Sequence, residues 1–139
     1  VPVVIGHQQR YVISDAQAPA PAIYVGYRVP SAKDRRAAAV TLLGDVIGSG
    51  RSSRLYDALV RRQQIATNVN AFNLGLADGA DELIFIATGK PGANADSLEV
   101  AMMAELAGAS RDGVGEGTRR AWRAHGRQRP GGQVSSAPR

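Results

Sequence analysis

The apolar residues of this chain change from a helical period to a period of two near residue 66, and that change constrains its fold more than any other feature. Ala39, Leu42, Leu43, Val46 and Ile47 fall at i, i+3, i+4, i+7 and i+8, which is one face of a helix. Ser31, followed three residues later by Asp34, predicts a capping box at its start. Gly48 and Gly50 end the pattern, because glycine takes the left-handed geometry past a helix end without a steric cost. Ser52 or Ser53 can cap a second helix, with Leu55, Ala58, Leu59 and Ile65 as its buried stripe. Arg61, Arg62, Gln63 and Gln64 form its wet face. From residue 66 the spacing drops to two. Val69 and Ala71, then Phe72, Leu74 and Leu76, predict a strand whose phase slips between Ala71 and Phe72, at a bulge or bend.

The flanking segments complete the order. Residues 10–13 (RYVI) predict a short strand. Pro19 and Pro21 exclude a helix from residues 14–22, because each pushes its predecessor to extended geometry. Ile23, Val25 and Tyr27 alternate with Tyr24, Gly26 and Arg28, the period of a strand that ends at Pro30. Asp78-Gly79 is a turn signal, and residues 82–89 (ELIFIATG) are apolar on both sides at their centre, which predicts a covered strand. After a turn at residues 90–92, Asn94 can cap a third helix to about Ser110, with Leu98, Ala101, Met102 and Leu106 inward and Gly113 as its stop. Strand, strand, helix, helix, strand, strand, helix is an α+β order: an antiparallel sheet with helices on one face.

Charge and cysteine content narrow the function classes. The net charge of +5 is not spread evenly. Residues 1–114 hold 11 Lys+Arg against 11 Asp+Glu, whereas residues 115–139 hold six Arg against the single acid Glu116. The chain therefore divides into a neutral globular part, 1–114, and a basic tail, 115–139, expected to be disordered because its five glycines and two prolines leave little to bury. With no cysteine there is no disulfide framework, thiolate zinc site or cysteine nucleophile. No stretch of about 18 apolar residues predicts a membrane span, and residues 1–10 do not have the pattern of a signal peptide. A start at Val1 fits a fragment or a processed form.

The block DVIGSGRSSRLYDALVRRQQIATNV, residues 45–69, preceded by VGYRVPSAKDRRAAAVTLL, resembles the insulinase/pitrilysin/mitochondrial processing peptidase family of zinc peptidases. The similarity continues through IFIATGKPGANADSLEVAMMAELAGASRDGV and covers residues 10–114. The resemblance implies one lobe of a two-lobed fold. Catalytic lobes of this family carry H-x-x-E-H on a helix, two His for zinc and a Glu as base. That motif is absent here. The only histidines are His7 and His125, 118 residues apart. The chain therefore resembles the second, non-catalytic half, with no catalytic residue and no metal ligand of its own, and with zinc belonging to a partner or missing half.

Several consequences of the resemblance are expectations. The chain is a fragment or subunit of a bacterial zinc metallopeptidase, lining a chamber and touching a peptide or unfolded polypeptide. Its partner is the catalytic half. An exposed lobe–lobe surface predicts self-association, and the periplasm or the cytoplasm is the expected soluble compartment. The family's substrate-holding Arg and Tyr, seven residues apart, align with Val60 and Thr67, so that role is not carried over. Arg61 is one residue away, a helical rotation of about 100°. Gly48, Gly50 and Arg54 do match the family's glycine and Arg-Leu pattern. With Arg61 they are the candidate substrate-binding residues. Two structural readings stand beside this one: the glycines permit a tight reversal between helices, and Arg54 pairs with Asp57 or Asp45.

Other chemistries fit less well. GSGRSS lacks the G-x-x-x-x-G-K-[ST] phosphate loop and follows a helix, not a strand. No G-x-S-x-G accompanies its serines. Two alternatives remain in other classes: a catalytically inactive structural subunit of the same fold, like respiratory-complex core proteins, and a nucleic-acid binder through the arginine tail. For the tail, a solvated end or an out-of-frame translation competes with the nucleic-acid reading.

Overall fold

A computed structural model of the chain describes residues 8–75 and 80–112. Three strands make one antiparallel sheet in the order β1-β3-β2, with β1 at Ala22–Pro30, β2 at Ala66–Gly75 and β3 at Ala80–Gly89. Helix α1, Ala37–Gly48, follows β1. A π-helix, Tyr56–Arg62, leads into β2, and helix α2, Ala95–Asp112, follows β3. This is the expected α+β class. Among the described residues no helix is long and apolar enough to cross a membrane.

Register assigns each side chain to a face. Val25 and Ala71 both lie opposite Phe85, and Ile23 and Val69 lie opposite Ala87. These residues point to the helical layer, because residues directly opposite each other share a side of the sheet. The core forms there from Val69, Ala71, Leu83, Phe85 and Ala87 of the sheet with Ile47, Leu55, Leu59, Leu98 and Met102 of the helical layer. In α2 the expected positions Leu98, Met102 and Leu106 are buried, and Asn94 caps the helix by accepting from the Ser97 N–H at 3.0 Å.

Several expectations are corrected by what the backbone must satisfy. Residues 10–13 form no strand, and Tyr11, Val12 and Ile13 are 80%, 70% and 91% exposed. Strand propensity needs a ladder partner. Here Arg10 is instead held against α2, donating to Glu99 at 2.9 and 2.7 Å, with Asp96 3.6 Å away. The hydrogen bond from Arg10 holds the Glu99 carboxyl below its usual range. The bulge in β2 lies between Ala66 and Asn68, not at Ala71/Phe72, whose pairing with Phe85 and Ile84 is continuous. The apparent slip at Ala71 is two faces of one regular strand, each partly apolar.

The first helix starts later than its sequence signal. Ser31 and Asp34 build turns instead of a capping box: Ser31 Oγ accepts from the Lys33 N–H at 3.3 Å, and Asp34 Oδ1 accepts from the Arg36 N–H at 2.8 Å. Hydrogen bonds from the Arg36 side chain and backbone lower the Asp34 carboxyl to about 2. The face of α1 also differs. Gly44, Ile47 and Gly48 are buried while Ala39 and Leu43 are exposed, a rotation of about 100° from the leucine stripe. Close approach to the sheet requires glycine at those positions, as a side chain on Gly44 would meet Leu83 at 2.8 Å.

The second helix has the expected apolar stripe with a wider winding. Ser53 is 1% exposed and its Oγ accepts from the Tyr56 N–H at 3.3 Å, which confirms it as the cap. Leu55, Ala58 and Leu59 are fully buried, and Arg61, Arg62, Gln63 and Gln64 are exposed as expected. The exit is strained: Gln64 has φ 54°, in the left-handed region. A residue with Cβ loses about 1–2 kcal/mol there, and glycine's greater freedom in the unfolded chain returns part of that. Gln64→Gly is therefore expected to stabilise the chain by about 0.5–1 kcal/mol. Thermal unfolding checks this, and an unchanged or lower midpoint would count against it.

Candidate functional site

The four residues singled out from the sequence have different surroundings. Gly48 ends α1 inside the core, where a side chain would meet Ala71 Cβ and Phe85 Cδ1, each at 2.7 Å. Gly50 sits in the following loop at φ 75°, with nothing within 4 Å of where a Cβ would stand. Arg54 points to α2. Its Nε donates to Glu105 Oε2 at 3.1 Å and its Nη1 to Asp112 Oδ2 at 3.2 Å, and the guanidinium covers Gly108. The hydrogen bond to Glu105 is the main reason that Arg54 holds its proton above the usual arginine range.

Asp57 and Asp45 are therefore not the partners of Arg54. Asp57 pairs with Arg62 at 3.1 Å and stands 4.0 Å from Arg61. Arg62 also reaches Glu105 at 3.7 Å, so Glu105 ties the π-helix segment to α2 through two arginines. Arg61 lies 5.7 Å over the Tyr56 ring and is otherwise exposed. Val60 packs against the core, and Thr67 sits at the bulge with its Oγ1 donating to the Thr88 carbonyl at 3.3 Å. None of these geometries joins an arginine and a tyrosine across a substrate.

The sequence reading missed a surface on the other side of the sheet. Tyr24 lies opposite Ile86, Gly26 and Phe72 both lie opposite Ile84, and Arg28 and Leu74 both lie opposite Glu82. All of these face away from the helices, and no described element covers them. Tyr24, Phe72 and Leu74 are 68%, 41% and 42% exposed. The expectation that β3 is covered on both faces is thus corrected among the described residues: Ile84 and Ile86 are only half-buried. They are sheltered sideways by cross-strand neighbours. The signal was present in the alternation of Tyr24, Gly26 and Arg28 against Ile23, Val25 and Tyr27. An aromatic on the outward phase of an edge strand marks a face with something to meet.

This face exposes apolar side chains around a single carboxylate among the described residues. Contiguous exposed apolar area of this kind marks binding or packing faces. Its one carboxylate is Glu82, which lies over Gly26 in the space a side chain there would fill. Among the described residues no group of three or more His, Cys, Asp or Glu could hold a metal ion. His7, His125, the Asp78-Gly79 turn, Gly113 and the tail 115–139 lie outside the described residues.

Known proteins share this arrangement. The family model of the peptidase M16 inactive domain matches residues 2–118. The zinc protease PqqE of Helicobacter pylori is 32% identical over 84 residues, which are 60% of this chain and 19% of that protein. A solved protease from Helicobacter pylori superposes with a TM-score of 0.72 at 24% identity, covering 81% of this chain and 27% of its own. The inactive peptidase domain assigned to a zinc protease of Bordetella parapertussis gives a TM-score of 0.62 at 25% identity, covering 78% of this chain and 61% of its own. The chain thus spans about a fifth of the curated relative it matches. The resemblance seen in residues 10–114 and the helix-backed antiparallel sheet lead to one assignment: the chain belongs to the peptidase M16 inactive domain family, a non-catalytic branch of zinc protease architecture.

Proposed function

We propose that this chain is the non-catalytic lobe of a zinc-dependent metallopeptidase, present as a fragment or subunit, and that it supplies chamber wall and peptide contacts while zinc is held by a catalytic partner lobe. The observation that carries this reading is the uncovered sheet face with Tyr24, Phe72 and Leu74 exposed. A peptide or unfolded polypeptide offers apolar side chains at the spacing of such a face. The same face, together with the outer edges of β1 and β2, which no described strand pairs, supports self-association of the free chain, since open edges template further pairing. Domain limits of 1–114 and a basic tail 115–139 remain part of this proposal. The periplasm and the cytoplasm both suit it.

The test is reconstitution. The purified chain alone is expected to bind no stoichiometric zinc and to cleave no peptide. Mixed with a separately produced H-x-x-E-H lobe, it is expected to raise chelator-sensitive hydrolysis. Tyr24→Asp with Phe72→Asp should then raise KM severalfold with the complex still formed, whereas Arg61→Ala should change KM little. A complex that forms but whose KM ignores Tyr24 and Phe72 would favour the purely structural subunit. Zinc and activity in the pure chain would overturn the proposal.

A further inference from the structure

The uncovered face mixes apolar side chains with Asn68, Asn70, Thr88 and Arg28, and it carries one carboxylate. Glu82 projects from the central strand β3, and its side chain folds across the ladder to lie over Gly26 of β1, with Cδ 3.1 Å and Cγ 3.5 Å from where a Gly26 Cβ would be. The carboxylate has no hydrogen bond and no ion pair with any described residue. Arg28 faces Glu82 across the β1–β3 ladder. Tyr24 stands two residues from Gly26 on the same face, and Ile84 lies opposite Gly26, with Phe72 beyond it on β2. A glycine inside a strand often marks close approach of another group. Here its missing side chain lets a carboxylate lie flat on the sheet between an aromatic ring and apolar side chains.

We infer that Glu82 and Gly26 form a subsite for a lysine or arginine side chain of an extended peptide lying on this face, which rests on the peptide-wall reading above. A long cationic side chain suits the place in each of its parts. Its methylene stem can pack on Ile84 and Phe72 while its charged end stays at the polar spot. Its cation can donate to the Glu82 carboxylate, a charge-assisted bond, and stand beside the Tyr24 ring. A neutral apolar side chain at the same place leaves Glu82 unpaired, and an acidic one is repelled by it. The face therefore discriminates by charge at one position and accepts apolar residues around it.

Two fluorescein-labelled nonapeptides test this with the whole chain: one with a central lysine among valine and alanine, the other with norleucine in its place. Fluorescence anisotropy should show the lysine peptide binding about five- to tenfold tighter, the size of one partly solvated charge-assisted contact. Glu82→Gln should bring the two peptides to equal affinity, mainly by weakening the lysine peptide. Gly26→Ala, which occupies the space where the carboxylate lies, should also reduce the preference, and it serves as the second variant if Glu82→Gln unfolds by circular dichroism. Equal binding of the two peptides to the unaltered chain, or a lysine preference that survives both variants, would overturn this inference and leave the peptide wall standing. Binding of neither peptide would overturn both.

Discussion

Gly48→Val is expected to lower unfolding free energy by about 3 kcal/mol, the upper part of the range for overpacked cores. At the last residue of α1 the helix backbone touches the sheet directly. A Cβ at residue 48 would sit 2.7 Å from Ala71 Cβ and 2.7 Å from the Phe85 ring. Both neighbours belong to the buried layer and neither is the free end of a flexible chain. The helix must therefore move outward, which opens the contact that Gly44 makes with Leu83 as well. The improved helix propensity of valine over glycine returns only a few tenths of a kcal/mol. A midpoint lower by roughly ten degrees or more is the corresponding thermal signature. Gly50→Ala is the control. It has a φ of 75° and nothing within 4 Å, so its cost is backbone strain alone, about 1 kcal/mol. Equal losses at residues 48 and 50 would show that packing against the sheet is not what requires Gly48.

Leu98→Ala should cost about 3 kcal/mol, within the 2–5 typical of a buried leucine truncated to alanine. Leu98 is fully buried in the first turn of α2, where it meets Gly89 at the end of β3 and shares the core with Met102 and Leu59. Few atoms can collapse into the gap, because α2 is fixed on one side by Arg54–Glu105 and on the other by Arg10–Glu99. Val100→Ala, two residues away on the same helix, removes methyl groups from a site 69% exposed and should stay within about 0.5 kcal/mol. Chemical denaturation of the two variants measures the contrast. A Leu98→Ala loss below 1 kcal/mol would mean that α2 does not close this core.

Much of this fold was legible because periodicity reports burial. β1, β3 and α2 lie close to where alternation, the turn at residues 90–92 and Asn94 put them. What was not legible depends on partners. The strand expected at residues 10–13 needed a ladder neighbour, and local sequence does not say whether one exists. The true face of α1 was hidden because hydrophobic patterns score leucine and pass over glycine, although here Gly44 and Gly48 make the contact and Leu43 does not. A π-helix over Tyr56–Arg62 has no composition of its own to betray it. Arg54 was expected to find an acid nearby in sequence and found Glu105 and Asp112, 51 and 58 residues on. The uncovered face was half visible. Its residues were read correctly as strand positions, but which phase is uncovered depends on where the helices land.

Among the described strands, the middle one of the sheet is made last. β1 is complete at Pro30, yet its first pairing partner, Ala80, comes fifty residues later, and β2 has no ladder before Asp81 arrives opposite Gly75. During synthesis the emerging chain therefore carries two strands that the finished sheet never pairs with each other, until β3 leaves the ribosome and joins both. Loop closure for β1 must span α1 and the π-helix, which slows this step relative to local pairing. A nascent chain stalled before Ala80 would hold none of this three-stranded sheet, and quality-control proteases would meet both strands unpaired.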